Sequence, residues 1–214
     1  MSELTGGRGD EEQPEAVAAQ PIACGEFAGL FDSLAGYDKV FLAVSGGADS
    51  LAMMHLIADW LSSRAASGRD HPDVTVLTVD HGLRREARDE AIFTRKAAEA
   101  LGLAGEILTL DEPAPAAGVQ EWARTVRYRL LLRRADEDEG ACALVTAHHR
   151  DDLAETVLMR LARGSGVDGL AAIETVSYRG AVALVRPLLD IPKSRLVRTL
   201  EVRGVAWLED PSNE

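Results

Sequence analysis

Short apolar runs alternate with longer helical segments along most of this chain. The runs are rich in Val and Leu, and they occupy residues 39–44, 74–79, 106–110 and 143–147. The segments that follow them have helical periodicity, at residues 50–64, 86–101, 120–138 and 151–163. Continuous apolar strands separated by helices are typical of a parallel sheet that is covered on both faces. We therefore predict an α/β fold, a doubly wound parallel sheet with helices on both faces.

Particular residue types mark the ends of several elements. Ser50 or Asp49 is expected to cap the first helix, and Gly164 is expected to stop the fourth. Residues 181–185 predict a further strand. Pro192 is expected to open a last helix as its first residue, because proline is favoured at that position.

Composition limits the domain organisation and the location of the chain. Its 214 residues, 46% of them hydrophobic, suffice for one full core, and the net charge of −12 argues against a surface that is basic all over. Residues 1–20 are acidic and without periodicity, so we predict a disordered leader before one domain at 21–214. Cys24 and Cys142 form no Cys-x-x-Cys and are expected to be buried thiols. The absence of an export signal or membrane segment predicts a cytoplasmic protein.

One turn combines the residue types that bind Mg-pyrophosphate, Ser45-Gly46-Gly47-Ala48-Asp49-Ser50. It lies between the first predicted strand and the next helix, where ligands of parallel sheets bind. The glycines let a phosphate approach the main chain, the helix N–H groups favour an anion, and the two serine hydroxyls add donors. Asp49 alone would repel phosphate, so its carboxylate is expected to hold a Mg²⁺ ion that bridges phosphate oxygens. The alternative is an ordinary helix cap.

The spacing in this turn excludes two common nucleotide-binding loops. A Walker loop requires Gly-x-x-x-x-Gly-Lys-Ser/Thr and a Rossmann loop requires Gly-x-Gly-x-x-Gly, and the turn has neither pattern. It resembles instead the pyrophosphate loop, Ser-Gly-Gly-x-Asp-Ser, of the N-type ATP pyrophosphatases, or PP-loop superfamily. That resemblance implies an adenine nucleotide alpha hydrolase-like fold. It also implies an enzyme that cleaves ATP between the α and β phosphates and attaches AMP to a carbonyl oxygen.

Further segments resemble, in order along the chain, the motifs of the tRNA(Ile)-lysidine synthetase family. They are Val79-Asp80-His81-Gly82-Leu83-Arg84, Ala123-Arg124-Thr125-Val126-Arg127-Tyr128, the segment from Ala147 to Thr156, Arg160-Leu161-Ala162-Arg163-Gly164-Ser165-Gly166, Arg186-Pro187-Leu188-Leu189 and Asp210-Pro211-Ser212-Asn213. The resemblance covers residues 40–213. It departs from the family pattern at Leu153, where glutamine is usual.

The resemblance implies a ligase reaction in two steps. ATP first adenylates the C2 oxygen of the wobble cytidine in tRNA(Ile) with a CAU anticodon. The ε-amine of free L-lysine then attacks C2 and expels AMP, which gives lysidine. The implied cofactors are ATP and Mg²⁺, and the implied partners are tRNA(Ile) and lysine, with no membrane; a homodimer is one alternative for assembly. We expect the helical tRNA-binding region of the family to be absent from this chain.

Two carboxylates are the candidate catalytic residues besides Asp49. Asp152 and Glu155 are three residues apart on a predicted helix and therefore share a face. An acidic face suits the ammonium group of lysine or a second metal contact. The alternative is a solvated helix surface, which is the commoner position of Asp and Glu.

Candidate nucleotide contacts come from the same motifs. His81 and His148 are expected to contact the nucleotide, and Arg127 is expected to contact phosphate. Gly164 belongs to a glycine-containing loop, expected to close over ATP or the cytidine, although a helix stop alone would explain it. A zinc site is not expected, because the histidines lack the His-Glu-x-x-His pattern.

Two competing functions stay open. One is another enzyme of the superfamily, such as a tRNA thiolase, an amidotransferase synthetase or an NAD synthetase. Thiolation normally needs paired cysteines, which this chain lacks. The other is a truncated nucleotide-binding domain without full activity, because the chain ends at Glu214, directly after the last motif.

Overall fold

The computed structural model describes residues 19–82, 86–110, 112–162 and 173–209 of the chain. Six strands form one sheet, namely β1 (Lys39–Ala43), β2 (Asp73–Asp80), β3 (Ala104–Thr109), β4 (Cys142–Val145), β5 (Val176–Arg179) and β6 (Val182–Val185). Within the same ranges the α-helices are α1 (Phe27–Phe31), α2 (Ala48–Ala66), α3 (Glu86–Ala100), α4 (Val119–Asp136), α5 (Arg150–Ala162) and α6 (Lys193–Arg203). Most of the predicted leader, the loop with Gly164 and the last motif lie outside the described residues.

The strand order is β3-β2-β1-β4-β6-β5, and every pair is parallel except β5 with β6. Each strand and helix predicted from the sequence is present, with its described ends within two residues of the predicted bounds. The predicted α/β fold class is therefore confirmed. Within this mostly parallel sheet, β5 is antiparallel to its neighbour and forms a hairpin with β6. The sequence prediction missed β5 because its residues are mostly exposed and polar.

Two helix starts differ from the predicted caps. The N-cap of α2 is Gly47, so Asp49 and Ser50 lie in the first turn of the helix instead of capping it. Pro192 is the N-cap of α6 and not its first helical residue, with an extended backbone at ψ 144°. The first N–H group of α6, on Lys193, donates to Asp151 Oδ2 at 2.8 Å, which ties the start of α6 to α5.

The core has two parts, one on each face of the sheet, because alternate residues of a strand point to opposite faces. On the first face, which we call the α2 face, β1 places Val40 and Leu42 against α2 and α6. On the second, the α4 face, the same strand places Phe41 against Leu131 of α4. Helices therefore cover both faces of the sheet, as the continuous apolar strands predicted.

The segment before β1 packs on the α2 face and was not recognised from the sequence. Phe27, Phe31 and Leu34 are buried there among residues of α2. Trp60 of α2 donates from Nε1 to Asp32 Oδ1 at 2.9 Å, and its ring lies 6.2 Å from that of Phe31. This contact satisfies the one polar atom of a buried indole, so the segment completes the core instead of only leading into it.

The cysteine prediction is half correct. Both thiols are free, and Cys142 is buried, but Cys24 is exposed. Cys24 is the first residue of a short 3-10 turn that contains no buried residue, so the expectation of two buried thiols is wrong. No helix in the described parts of the chain is long and apolar enough to cross a lipid bilayer.

We expect Leu42→Ala to lower the free energy of unfolding by about 2–5 kcal/mol, because the side chain is fully buried in the central strand. Urea denaturation followed by circular dichroism would measure the change. The matched control is Leu158→Ala, whose side chain is 66% exposed and whose loss should change the value by less than about 0.5 kcal/mol. Equal losses in both variants would contradict the central position of β1.

Candidate functional site

The candidate site lies where the chain reverses its order of strands. After β1 the chain builds β2 and β3 on one side of that strand, and it then returns to place β4 on the other side. The loops after β1 and β4 therefore leave the same edge of the sheet next to each other. In open α/β sheets this switch point, at the carboxyl ends of the strands, forms the ligand crevice.

The loop after β1 has a conformation that depends on glycine. Gly46 has φ +90°, and a Cβ atom there would come within 2.6 Å of Leu208 Cδ1 and 2.9 Å of Thr94 Oγ1. The carbonyl of Gly46 also accepts a hydrogen bond from the Leu208 N–H at 2.9 Å. Gly47 has ordinary backbone angles and the space for a side chain. Only the first glycine is thus required by the geometry of the loop itself.

The two serines hold this loop together. The Ser50 hydroxyl donates to the Gly47 carbonyl at 3.0 Å and accepts from the Ser45 N–H at 3.1 Å. Its oxygen also lies 3.3 Å from Ser45 Oγ. Ser50 is buried and its hydrogen is engaged within the loop, whereas Ser45 lies on the more open side. Ser45 is therefore the better placed of the two predicted hydroxyl donors.

The N-terminus of α2 is suited to an anion. Its N-cap is Gly47, and no side chain caps the first N–H groups, which include those of Ala48 and Asp49. The first four N–H groups of a helix have no partner within the helix and carry a partial positive charge. A phosphate at this position would satisfy them, as the sequence of the loop predicts.

Asp49 faces a histidine and a lysine from the first turn of α2. Its Oδ2 lies 3.4 Å from His149 Nε2 and 3.8 Å from Lys193 Nζ. Its Oδ1 is buried and has no hydrogen-bond partner among the residues that the structure describes. The side chain of Asp49 is 28% exposed, so this carboxylate is partly buried in the first turn of α2. It belongs to a helix whose first turn packs against the start of α5.

This environment fits a Mg²⁺ ion shared with phosphate. Mg²⁺ usually takes one or two protein carboxylates and completes its shell with phosphate oxygens and water. A buried carboxylate oxygen without a partner, beside a helix N-terminus, provides such a ligand. In the part of the chain that the structure describes, no cluster of three or more His, Cys, Asp or Glu side chains could enclose a metal by itself.

The start of α5 brings more carboxylates to the same place. Asp152 Oδ2 accepts from the His149 N–H at 2.9 Å, and Asp151 Oδ2 lies 3.8 Å from His149 Nδ1. Glu155, one turn further along α5, is exposed. Asp152 is thus joined to the site through His149, while Glu155 is free to extend from the helix surface toward solvent.

The sequence assigns no role to His149 beyond excluding the histidines as a zinc site. Its position is a finding of the structure. It is 4% exposed and lies between Asp49, Asp151 and Asp152. Burial lowers the pKa of this imidazole, but the hydrogen bond to Asp49 and the surrounding carboxylates outweigh that effect and raise it. The available signal was the His-Arg-Asp-Asp run at the start of the helix. Lys193 was also missed, because 144 residues separate it from Asp49.

His148 points to the other side of the loop after β4. Its Nδ1 lies 2.8 Å from Thr146 Oγ1, and its Nε2 lies 3.5 Å from the Tyr128 hydroxyl on α4. Burial lowers the pKa of His148, so the ring is neutral near pH 7. Both ring nitrogens thus lie near a hydroxyl, and a nucleotide contact through Nε2 would replace the longer of these two contacts, the one with Tyr128.

His81 and Arg127 form one unit beside the end of β2. Arg127 donates from Nε to His81 Nε2 at 3.2 Å. Burial and then the Arg127 charge lower the pKa of His81 to about 4. Arg124, which has the helical spacing to share a face with Arg127, instead lies over the Tyr128 ring at 5.8 Å. Arg127 is therefore held by a histidine, and Arg124 lies against an aromatic ring.

The predicted site residues fall into two groups in the structure. The loop residues, Asp49 and Asp152 lie at the switch point, and His148 and the His81–Arg127 pair flank it on the side of α4. Glu155 stands further out on α5. Gly164 lies outside the described residues, so its predicted role stays a prediction.

Comparison with known proteins agrees with this site. Residues 22–214 match the model of the PP-loop domain, and the chain belongs to that family. Among curated proteins it is similar to tRNA(Ile)-lysidine synthases. It is 50% identical to one from Bradyrhizobium sp. over 193 residues, which cover 90% of this chain and 52% of the relative. It is 49% identical to one from Methylobacterium nodulans over 199 residues, which cover 92% and 56%.

The resemblance inferred from the motifs is thereby confirmed at the level of sequence similarity. The chain spans about half the length of the curated relatives that it matches. Among solved structures, the U34-tRNA thiolase NcsA from Methanococcus maripaludis has a TM-score of 0.71 at 21% identity, covering 87% of this chain and 65% of that one. At this identity the likeness shows a shared fold and nothing more.

We expect Gly46→Ala to lower the free energy of unfolding by about 1–3 kcal/mol, because a Cβ atom would strain the backbone and press on Leu208. Gly47→Ala is the matched control in the same loop. Its Cβ would make an ordinary contact of 3.6 Å with Ser45 Oγ, and its φ is −73°. Urea denaturation without nucleotide would measure the free energy of unfolding of both variants. A larger decrease for Gly47→Ala than for Gly46→Ala would contradict the loop geometry.

We expect the His81 imidazole to stay neutral down to about pH 4 in the folded protein. Proton NMR of the ring during an acid titration would measure this. Arg127→Ala should move the pKa up toward 6.5, because it removes a neighbouring positive charge. The unfolded chain takes up the proton near 6.5, so burial of His81 should make folding less favourable as the pH falls from 6.5 toward 4. A His81 pKa near 6.5 in the folded protein would contradict the burial.

Proposed function

We propose that this chain is the ATP-dependent catalytic domain of a tRNA(Ile)-lysidine synthase. The observation that carries the proposal is the loop 45–50 at the switch point, with Asp49 beside an uncapped helix N-terminus. The similarity to lysidine synthases over about nine-tenths of this chain supports the choice among PP-loop enzymes. The substrates would be ATP, tRNA(Ile) with a CAU anticodon, and free L-lysine, and a cytoplasmic location and the oligomeric state stay predictions.

The first step would be adenylation of the wobble cytidine. The C2 oxygen of the base attacks the α-phosphorus of ATP, and pyrophosphate leaves. The loop amides and the N-terminus of α2 would bind the pyrophosphate, with Ser45 as a further donor. Asp49 would hold Mg²⁺, which when bound neutralises charge on the phosphate oxygens. Charge neutralisation at this helix N-terminus would stabilise the negative charge that develops on the leaving pyrophosphate more than it stabilises the bound triphosphate.

The second step would be the attack of lysine. Its ε-ammonium group must lose a proton before the nitrogen can form a bond to C2. AMP leaves as that bond forms. Asp152 and Glu155 provide the acidic surface beside the loop that an ammonium group requires. A carboxylate there would hold the cation in place and take the proton that the amine releases. The neutral imidazole of His148 and the Arg127 guanidinium would bind the nucleotide on the side of α4.

A tRNA thiolase is the strongest alternative within the superfamily, and one observation disfavours it. Cys142 pairs with Lys39 at the amino ends of β4 and β1, which is the edge of the sheet opposite the loop. Its thiol is buried there, and burial raises its pKa. The other cysteine of the chain, Cys24, lies before α1. Sulfur transfer at the switch point would need a thiol there, and these positions do not favour such a role for either cysteine. The attachment of lysine to a base does not require a cysteine.

Incorporation of labelled lysine into isoleucine tRNA tests the proposal. The reaction would contain ATP, Mg²⁺, labelled lysine and bulk tRNA, with the Bradyrhizobium relative as the positive control. Lysine-dependent labelling of tRNA by this chain supports the proposal. Tight binding of Mg-ATP with no labelling, under conditions in which the relative is active, would favour a nucleotide-binding domain without full activity.

We expect Asp49→Asn to reduce tRNA-dependent pyrophosphate release by more than about tenfold, because the amide is neutral and binds Mg²⁺ poorly. Pyrophosphate release would be measured over a Mg²⁺ titration. Asp70→Asn is the matched control, since Asp70 is an exposed residue of the loop after α2. Full activity of the Asp49 variant at low Mg²⁺ would remove this carboxylate from the site.

We expect Glu155→Gln to raise the KM for lysine by about tenfold while it leaves the KM for ATP nearly unchanged, because one charge facing the ammonium group is lost. Steady-state lysine incorporation would measure both constants. Glu139→Gln, an exposed residue after α4, is the control. Equal increases in the two constants would indicate a metal or nucleotide contact for Glu155 instead.

A further inference from the structure

His149 lies between the starts of two helices that carry the predicted functional carboxylates. It is the last residue before α5, and its imidazole reaches across to the first turn of α2. The ring is 4% exposed, so its nitrogens must find partners within the protein. Those partners are carboxylates and a backbone N–H group.

The start of α5 determines which nitrogen of the ring carries a hydrogen. The Asp152 N–H donates to His149 Nδ1 at 3.4 Å, while the His149 N–H donates to Asp152 Oδ2 at 2.9 Å. These reciprocal bonds correspond to a capping box, with histidine in the place of serine. In the neutral ring Nδ1 accepts, so the hydrogen is on Nε2, and in the protonated ring Nε2 carries a hydrogen as well; in both forms Nε2 donates toward Asp49 Oδ2 at 3.4 Å.

The two oxygens of Asp49 are therefore in different situations. Oδ2 is oriented by His149 and, from the more exposed side, by Lys193 Nζ at 3.8 Å. Oδ1 is buried, and none of the described residues forms a hydrogen bond with it. When one oxygen of a carboxylate is held by a hydrogen bond, the orientation of the other oxygen is fixed as well. Carboxylates and histidines that ligate metals are commonly fixed by such outer partners, and loss of a partner weakens metal binding.

We propose that His149 is a positioning residue that orients Asp49 for a divalent cation and joins that carboxylate to Asp152 across the α2–α5 contact. This inference rests on the proposed use of Mg-ATP at Asp49, and it does not require lysidine formation. His149 contacts no substrate in this arrangement. It acts through Asp49, and its second bond holds the helix that carries the predicted lysine-binding face.

Two substitutions separate the helix cap from the contact with Asp49. Asparagine is a favoured N-cap, so His149→Asn retains a cap for α5 but is too short to reach Asp49. Glutamine is longer and keeps an N–H donor, so His149→Gln can restore the bond to Asp49. His55→Asn is the matched control, because His55 is a half-buried histidine on α2 away from the loop.

The measurement is the binding of Mn²⁺ to the ATP complex, followed by electron paramagnetic resonance, together with ATP binding in EDTA and thermal unfolding. We expect His149→Asn to weaken Mn²⁺ binding by about tenfold or more. His149→Gln should recover most of that loss, and His55→Asn should behave as the unsubstituted protein. ATP affinity in EDTA should be the same in all four proteins.

Three results would overturn the proposal. Unchanged or tighter Mn²⁺ binding in His149→Asn would show that His149 does not orient the ligand. An equal loss of ATP affinity in EDTA would show a general structural role. Failure of the unsubstituted protein to bind Mn²⁺ with ATP would reject both this inference and the metal part of the proposed function. If the variants change Mn²⁺ binding as expected but the unsubstituted protein does not incorporate lysine, the role of His149 is supported and only the lysidine reaction is rejected.

Discussion

The placement of β1 between β2 and β4 is the constraint on which the rest of this structure depends. Because the chain builds outward on one side of β1 and then on the other, the loops after β1 and β4 diverge from one edge of the sheet. The first loop provides glycines and a helix N-terminus, and the second provides histidines and carboxylates. An edge without this reversal of strand order would not bring these two sets of groups to the same crevice.

The carboxylates gathered there would repel one another without the histidine and the lysine between them. Asp49, Asp151 and Asp152 converge on the buried ring of His149, and Lys193 approaches from the start of α6. Part of this arrangement serves ordinary helix capping, since Asp151 and Asp152 each accept a backbone N–H bond. The same side chains thus stabilise helix ends and create an acidic surface. Capping explains why the carboxylates are close together, and the unpartnered oxygen of Asp49 is the feature that capping does not explain.

The loop at the site is also shaped by a distant part of the chain. Leu208 donates its N–H group to Gly46 and covers it with its side chain, so no Cβ atom fits at residue 46. Thr94 of α3 closes the same space from another direction. The glycine is therefore required by packing as well as by backbone angle, and the positive φ alone would understate the constraint.

The amino-acid sequence by itself determined the alternation of strands and helices, the position of the phosphate-type loop and the family resemblance. These features depend on local periodicity and on residues adjacent in the chain, which a pattern can reveal. It did not reveal strand β5, whose pairing with β6 is set by a hairpin and not by apolar residues. It also did not show the exposure of Cys24, or the contacts of Asp49 with His149 and Lys193. Those contacts join residues 100 and 144 positions apart. Only the packing of α2 against the starts of α5 and α6 decides them, because contact between remote side chains depends on where the sheet brings their helices together.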